Sequence, residues 1–332
     1  MSTASIRDVA HRAGVSVGTV SNVLNHPEKV STGAMDRVVA AIEELGFVRN
    51  DAARQLRLGR STTVGLVVLD MRNPFFTDLA RAAEDEAAKH GLSLLLGSSD
   101  EDTARESTYL DLFEEQRVRG LLISPVGDVE PRLERLRARG IPSVLVDRPG
   151  DLFASVAVDD VAGGRLAVEH LLAVGRRRIA FLGGPLGMRQ VGDRLEGARD
   201  AVGGSPGARL EVIELPALTV AEGRRAVEQI IDRRAEDRPD AIFAANDLVA
   251  IGVLQGLLLS GSVPVPDQMA VIGYDDIDFA SVAIVPISSI RQPTSLLGST
   301  AVRMLLGGQD EARSVVFHPE LVVRASTVAP GS

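Results

Sequence analysis

The sequence predicts two unlike parts: a small all-α helix-turn-helix head and an α/β body of two doubly wound parallel-sheet subdomains. Three observations predict this. The first 48 residues place apolar side chains at helical spacing, punctuated by Gly14, Pro27 and Gly46. From Thr63 the pattern changes to short apolar runs separated by helical stretches, the mark of parallel sheets covered on both faces. The body is then about 270 residues long, large for one such sheet, so two are expected.

Ile6, Val9, Ala10 and Ala13 form one stripe of a first helix, and Gly14 stops it. Ser16 can cap a second helix, with Val20, Val23 and Leu24 inward and Pro27 at its end. Ser31 can cap a third, whose stripe is Val38, Ala41, Ile42 and Leu45 before Gly46. Two short helices around a glycine turn, closed by a third, spell helix-turn-helix, with residues 17–24 as the recognition helix. Its outward side chains are Val17, Gly18, Ser21 and Asn22. Asn22 can bond adenine through both polar atoms, and Val17 can touch a thymine methyl. Ser16, Thr19, Ser21 and Asn25 suit phosphate oxygens, which position rather than specify. The same spacing also suits a three-helix cap on an enzyme.

Charge agrees weakly with a nucleic-acid head. Residues 1–61 hold 8 Lys+Arg against 6 Asp+Glu, and the remainder 28 against 39. An acidic body repels nucleic acid, so any DNA contact belongs to the head. Next comes Asn50–Arg57, with an N-cap, Asp51 in its first turn, Arg57 in its last and Gly59 beyond. A helix shorter than about 12–15 residues is marginal alone, so this two-turn segment is expected to coil only with support. Asn50, Arg54 and Leu56, its large apolar residue, are the contact candidates; an accidentally helical linker is the plainer alternative.

Ile6-Arg-Asp-Val-Ala-His-Arg-Ala-Gly-Val-Ser-Val-Gly-Thr-Val-Ser-Asn-Val-Leu-Asn25 closely resembles the DNA-binding head of the lactose-repressor (LacI/GalR) family, and Asn50 to Leu56 looks like its hinge helix. The likeness runs on to Leu321-Val-Val-Arg-Ala-Ser-Thr327. It implies a homodimeric, cytoplasmic transcription regulator on a pseudo-palindromic operator of double-stranded DNA. Paired hinges would enter the minor groove with the leucine at the Leu56 position as a wedge, which suits an apolar side chain holding bent DNA. It further implies a periplasmic-binding-protein-like body with crossovers near 160, 290 and 322. The parts are then a head (1–48), a hinge and linker (49–61), one subdomain (62–160 and 291–321) and a second (161–290 and 322–332). Two positions depart from the family: Arg49 stands where proline usually precedes the hinge, and Asn22 where many members carry a basic residue.

The body's strands are read at Val64–Leu69, Leu92–Leu96, Gly120–Ile123, Ser143–Val146, Ile179–Leu182, Val212–Leu215, Ala241–Ala244 and Ala270–Ile272. Helical stretches between them include Phe76–His90, Thr103–Gln116, Gly163–Ala173 and Leu248–Leu259. Ligands of such sheets bind beyond the carboxyl ends of the strands. Those ends bring Asp70, Asn73, Phe75, Phe76, Asp100, Asp147, Arg148, Arg194, Asn246 and Asp275, and Gln292 precedes Pro293. Carboxylates, amides and arginines beside two phenylalanines suit a polyhydroxyl effector such as a sugar, with Phe covering the apolar face of the ring. Singly, each is also a common turn or cap residue. The family often has an aromatic near Leu218; an aliphatic there argues against a bulky stacked ligand.

Other classes fit less well. The chain has no cysteine, no apolar run of membrane-spanning length and a polar, charged N-terminus, which suit a cytoplasmic protein and no membrane partner. The five histidines (11, 26, 90, 170, 318) lack metal-ligand spacing. No phosphate loop, dinucleotide fingerprint, nucleophile elbow or zinc-protease motif appears, so no cofactor or metal is expected. The alternatives are a corepressor-type regulator with a nucleobase effector and, from another class, a sugar-modifying enzyme.

Overall fold

The computed structural model describes residues 4–47, 61–307 and 314–328. Asn50, Arg54 and Leu56, with the rest of the expected hinge, lie outside the described residues. The chain divides into two compact units, Met1–Ser61 and Thr62–Ser332.

In the head, α1 (Ile6–Ala13) opens on a capping box. The Asp8 amide donates to Ser5 Oγ, and the Ser5 amide donates to the Asp8 carboxylate at 2.8 Å. Gly14 ends the helix at φ 64°, the left-handed region that glycine enters without a Cβ clash. Helix α2 (Val17–Asn25) starts at Ser16, whose Oγ accepts from the Thr19 amide at 3.0 Å. Helix α3 (Thr32–Leu45) starts at Ser31, but that side chain makes no capping bond. A 3-10 turn over Pro27–Lys29 joins α2 to α3, since the proline cannot continue the helix. Val9, Ala10, Ala13, Val20, Val23, Val38 and Ala41 form the core, which is the stripe residues of the three helices meeting. Arg12 pairs with Glu44 at 3.0 Å and Arg37 donates to the Ala13 carbonyl at 3.2 Å, so these two cations tie helices together.

The body contains two six-stranded sheets. The first runs β11-β5-β4-β3-β1-β2, with β1 Thr63–Val68, β2 Ser93–Ser98, β3 Gly120–Ile123, β4 Ser143–Val146, β5 Ala154–Val158 and β11 Ser314–Phe317. The second runs β12-β10-β9-β8-β6-β7, with β6 Arg178–Gly183, β7 Arg209–Glu214, β8 Ala241–Ala244, β9 Ala270–Asp275, β10 Ser288–Arg291 and β12 Glu320–Val322. All described pairings are parallel except β10 with β12. The central strands β3, β4 and β8 are buried throughout, which is why they read as unbroken apolar runs. The edge strands β2 and β7 are only partly covered. The chain changes sheet after β5, after β10 and between β11 and β12.

Helices Asp160–Ala173 and Arg189–Gly203 pack backbone to backbone on the second sheet. A Cβ on Gly164 would lie 2.0 Å from the Arg194 carbonyl oxygen, and one on Gly197 1.9 Å from that of Val161. Gly164→Ala must therefore push the helices apart, at about 1–3 kcal/mol or more. At roughly 2–4 °C per kcal/mol for chains of this size, calorimetry should show a lower melting temperature. Gly187→Ala, with open space around the added carbon, should melt like the parent. Equal melting of both variants would contradict the close approach.

Candidate functional site

On the head, Ser16, Val17, Gly18 and Asn22 are exposed along the first turns of α2, while Thr19 and Ser21 are half-buried. Inward Val20 and Val23 fix the helix's rotation, and so the outward direction of Val17 and Asn22. Ser16 and Thr19 also bond each other through their hydroxyls at 2.9 Å. Asn25 is the last residue of α2, and its side chain lies outside the described residues.

In the body, β1 lies between β2 and β3, and β6 between β7 and β8. Strand order reverses there, opening a crevice beyond the strands' carboxyl ends. The crevices of the two sheets face each other across a cavity of roughly 480 Å³, mouth included. Asp70, Asn73, Phe75, Phe76 and Asp147 line one wall, with Arg194, Asn246 and Asp275 on the other.

Local folding places each. Asn73 caps helix Pro74–Lys89, its Oδ1 accepting from the Phe75 amide at 3.1 Å, and its Nδ2 donates across the cleft to Asp275 Oδ2 at 2.9 Å. Pro74 in the first turn then carries Phe75 and Phe76 into the wall, rings edge to face at 4.9 Å. Asn246 caps helix Asp247–Ser260 through the Val249 amide at 2.9 Å. Asp147 and Asp275 have φ of 58° and 104°, conformations that turn the chain sharply at the strand ends.

Arg194 is the cation buried among the acids, 5% exposed. Its Nε donates to Asp160 at 2.8 Å and its Nη1 to the Ala245 carbonyl at 2.8 Å, while Nη2 stands 4.0 Å from Asp275. Burial alone would lower its pKa, but Asp160, Tyr274, Asp275 and Asp147 together raise it. Burial pushes the Asp147 carboxyl up to about 8, and the nearby Asp160 charge adds to the rise. Burial also raises Asp275, against the lowering effect of Arg194, Asn73 and Gln292. The site is therefore short of positive charge and rich in acceptors.

Three of the expected residues stand elsewhere. Asp100 (φ 49°) bonds Ser98 Oγ at 2.7 Å and pairs with Arg105 on the surface. Its neighbour Glu101 (φ 60°) lines the cavity instead, its carboxyl raised first by burial and then by Asp70. Arg148 turns away and donates to the Gly127 carbonyl. Gln292 is one step behind the wall, its Nε2 donating to Asp275 Oδ1 at 2.7 Å. The sequence reading missed Gln190, whose Nε2 crosses the cleft to the Asp147 carbonyl and carboxylate at 2.9 and 3.1 Å. It also missed Met188 and Val191 beside it. All three lie in or just before the first turn of Arg189–Gly203, and no strand-end rule reaches that far into a helix. Among the described residues no cluster of acids and histidines could hold a metal ion, and no helix is long and apolar enough to cross a membrane.

Known proteins share both parts. Residues 5–50 match the bacterial regulatory proteins of the lacI family, and residues 168–327 a periplasmic binding protein-like domain. The ribose operon repressor of Bacillus subtilis (strain 168) is 34% identical over 304 residues, 92% of this chain and 91% of that one. The lac repressor dimer bound to operator and the anti-inducer ONPF superposes with a TM-score of 0.83 at 29% identity, over 99% of this chain and 100% of that one. A LacI family regulator from Enterococcus faecium with bound ribose gives 0.72 at 28% identity, over 80% of this chain and 98% of that one. Likeness at this level through head and body together settles the family: the chain belongs to the lacI family of bacterial regulatory proteins, DNA-binding transcriptional repressors rather than enzymes.

Proposed function

We propose that this repressor controls carbohydrate-metabolism genes in the cytoplasm, and that a neutral, unphosphorylated monosaccharide in the body cleft sets its operator affinity. The observation that carries this is the cavity's chemistry. Asp70, Glu101, Asp147 and Asp275 stand with one buried guanidinium, that of Arg194. Carboxyl and amide groups accept from and donate to hydroxyls, while a phosphate or carboxylate ligand would find one lining cation, Arg194, already paired with Asp160. Phe75 and Phe76 line the cavity with Met188 and Leu218, so an apolar surface is offered to a ring face, and no other aromatic stands among the described lining residues to sandwich a nucleobase. The ribose carried by the Enterococcus relative supports the same reading.

The working unit is a homodimer, with two α2 helices in successive major grooves and two Leu56 side chains wedged between them in the minor groove. Asn50 and Arg54 serve the same hinge, and the two subdomains run over 62–160 with 291–321 and over 161–290 with 322–332. Cleft occupancy then changes operator affinity through the spacing of the two hinge ends. The coupling is reciprocal, so operator DNA shifts sugar affinity by the same factor.

Thermal-shift measurement on the full chain with D-ribose, D-galactose, ribose 5-phosphate and guanine tests the effector. A true effector at about 100 times its Kd adds about 2.7 kcal/mol. Stabilisation by the phosphate or the base, and by neither sugar, would overturn the assignment. For the DNA side, Asn22→Ala should cost about 1–3 kcal/mol on the preferred operator and relax the choice of one base pair. A uniform loss over all operators, read by binding to a base-substituted operator set, would make Asn22 a phosphate contact instead.

A further inference from the structure

The arginine of the cleft has a floor. The guanidinium carbon of Arg194 lies 3.8 Å from the centroid of the Tyr274 ring, and Tyr274 is fully buried. Tyr274 sits on β9 directly before Asp275, and its ring belongs to the core that holds Phe181, Phe243 and Ile272. Room for the ring is made by Gly163, where a Cβ would come within 2.2 Å of the tyrosine oxygen. The hydroxyl approaches Asp160 without forming a hydrogen bond of good geometry. The aromatic face is thus what Tyr274 offers.

The bonds from Arg194 to Asp160 and to Ala245 lie along its N–H directions and leave out-of-plane rocking unopposed. A ring against the guanidinium face opposes that motion, and a desolvated cation is drawn to the π cloud. Arg194 Nη2, which makes no hydrogen bond to the described residues, is the nitrogen that stands 4.0 Å from Asp275. Its direction depends on the plane the ring sets.

We propose that Tyr274 is a positioning residue for the effector cleft, its ring fixing the plane of the Arg194 guanidinium and through it the affinity for effector. The affinity part rests on the sugar reading above; the positioning part does not.

The test uses the full-length protein with Tyr274→Phe, which keeps the ring, and Tyr274→Met, which keeps bulk without it. In the ligand-free protein, the Arg194 Nε–H signal, assigned by its loss in Arg194→Lys, is followed by solvent exchange. Tyr274→Phe should match the parent. Tyr274→Met should exchange about tenfold faster while backbone amides of Arg189–Gly203 keep their protection. Calorimetry with D-ribose should show at least tenfold weaker binding in Tyr274→Met and a change under threefold in Tyr274→Phe. Parental Nε–H exchange in Tyr274→Met, or equal acceleration in Tyr274→Phe, overturns the proposal. If Tyr274→Met does not fold, Tyr274→Leu takes its place, with the same criteria. A parent that binds neither D-ribose nor D-galactose while the exchange pattern holds would refute the sugar reading and leave the floor standing.

Discussion

Arg194→Ala should unseat the cleft and weaken the body together. Arg194 and Asp160 are each 6% exposed at the side chain, so water cannot take over the lost partner. Removing one member of such a pair leaves a buried charge uncompensated, at about 3–5 kcal/mol. Here the deficit is shared with Asp275 and with the Ala245 carbonyl, which also lose a partner. Calorimetry should place the melting transition roughly 10 °C lower, at about 2–4 °C per kcal/mol. Stabilisation by effector should vanish in the same variant. Arg194→Lys restores charge but not two fixed donor directions, so it should regain part of the stability and little of the effector response. A variant Arg194→Ala that melts with the parent would show that the acid cluster does not depend on this cation.

The second large effect is on pH. Asp147 is pushed up to about 8 by burial in the folded body, against roughly 3.9 for a free aspartate. Between those values the folded body holds a proton that the unfolded chain has released. This contribution to folding stability is therefore fully present below about 4 and is lost as pH rises toward 8, by at most about 1.4 kcal/mol per pH unit for one proton. Asp275 and Asp247 are raised by burial in the same direction and add to the slope. Asp147→Asn keeps an acceptor for Gln190 and removes one titrating group. Its melting temperature should fall less steeply from pH 6 to 8 than the parent's, and it should be the more stable of the two at pH 8. Parallel curves would mean that Asp147 stays ionised in the folded protein.

The alternation of strand and helix was legible because central strands are covered on both faces, leaving little choice but Val, Ile, Leu and Ala. Gly120–Ile123, Ser143–Val146 and Ala241–Ala244 were readable to the residue for that reason. Strand β10 was not, since its Ser288 and Ser289 are fully buried yet polar. Their partners, Ser326, Thr327 and Asp247, come from distant parts of the chain, and no local pattern reports them. The three-residue β12 and four-residue β11 are too short for periodicity. The cleft was half legible on similar grounds. Strand ends reveal Asp70, Asp147 and Asp275, but which of Asp100 and Glu101 turns inward is set by two consecutive left-handed residues. Arg148 follows another such residue, Asp147, and a composition rule cannot tell inward from outward there.

Asn73 uses its oxygen to start a helix and its nitrogen to hold the opposite wall. Any replacement that tunes ligand preference there also loosens the element bearing both phenylalanines. Lineages that drift to a new effector should therefore vary first at Leu218, Met188 and Glu101, side chains that among the described residues neither cap a helix nor bond the opposite wall. Asn73 should stay fixed across them, as a residue whose two obligations cannot evolve separately.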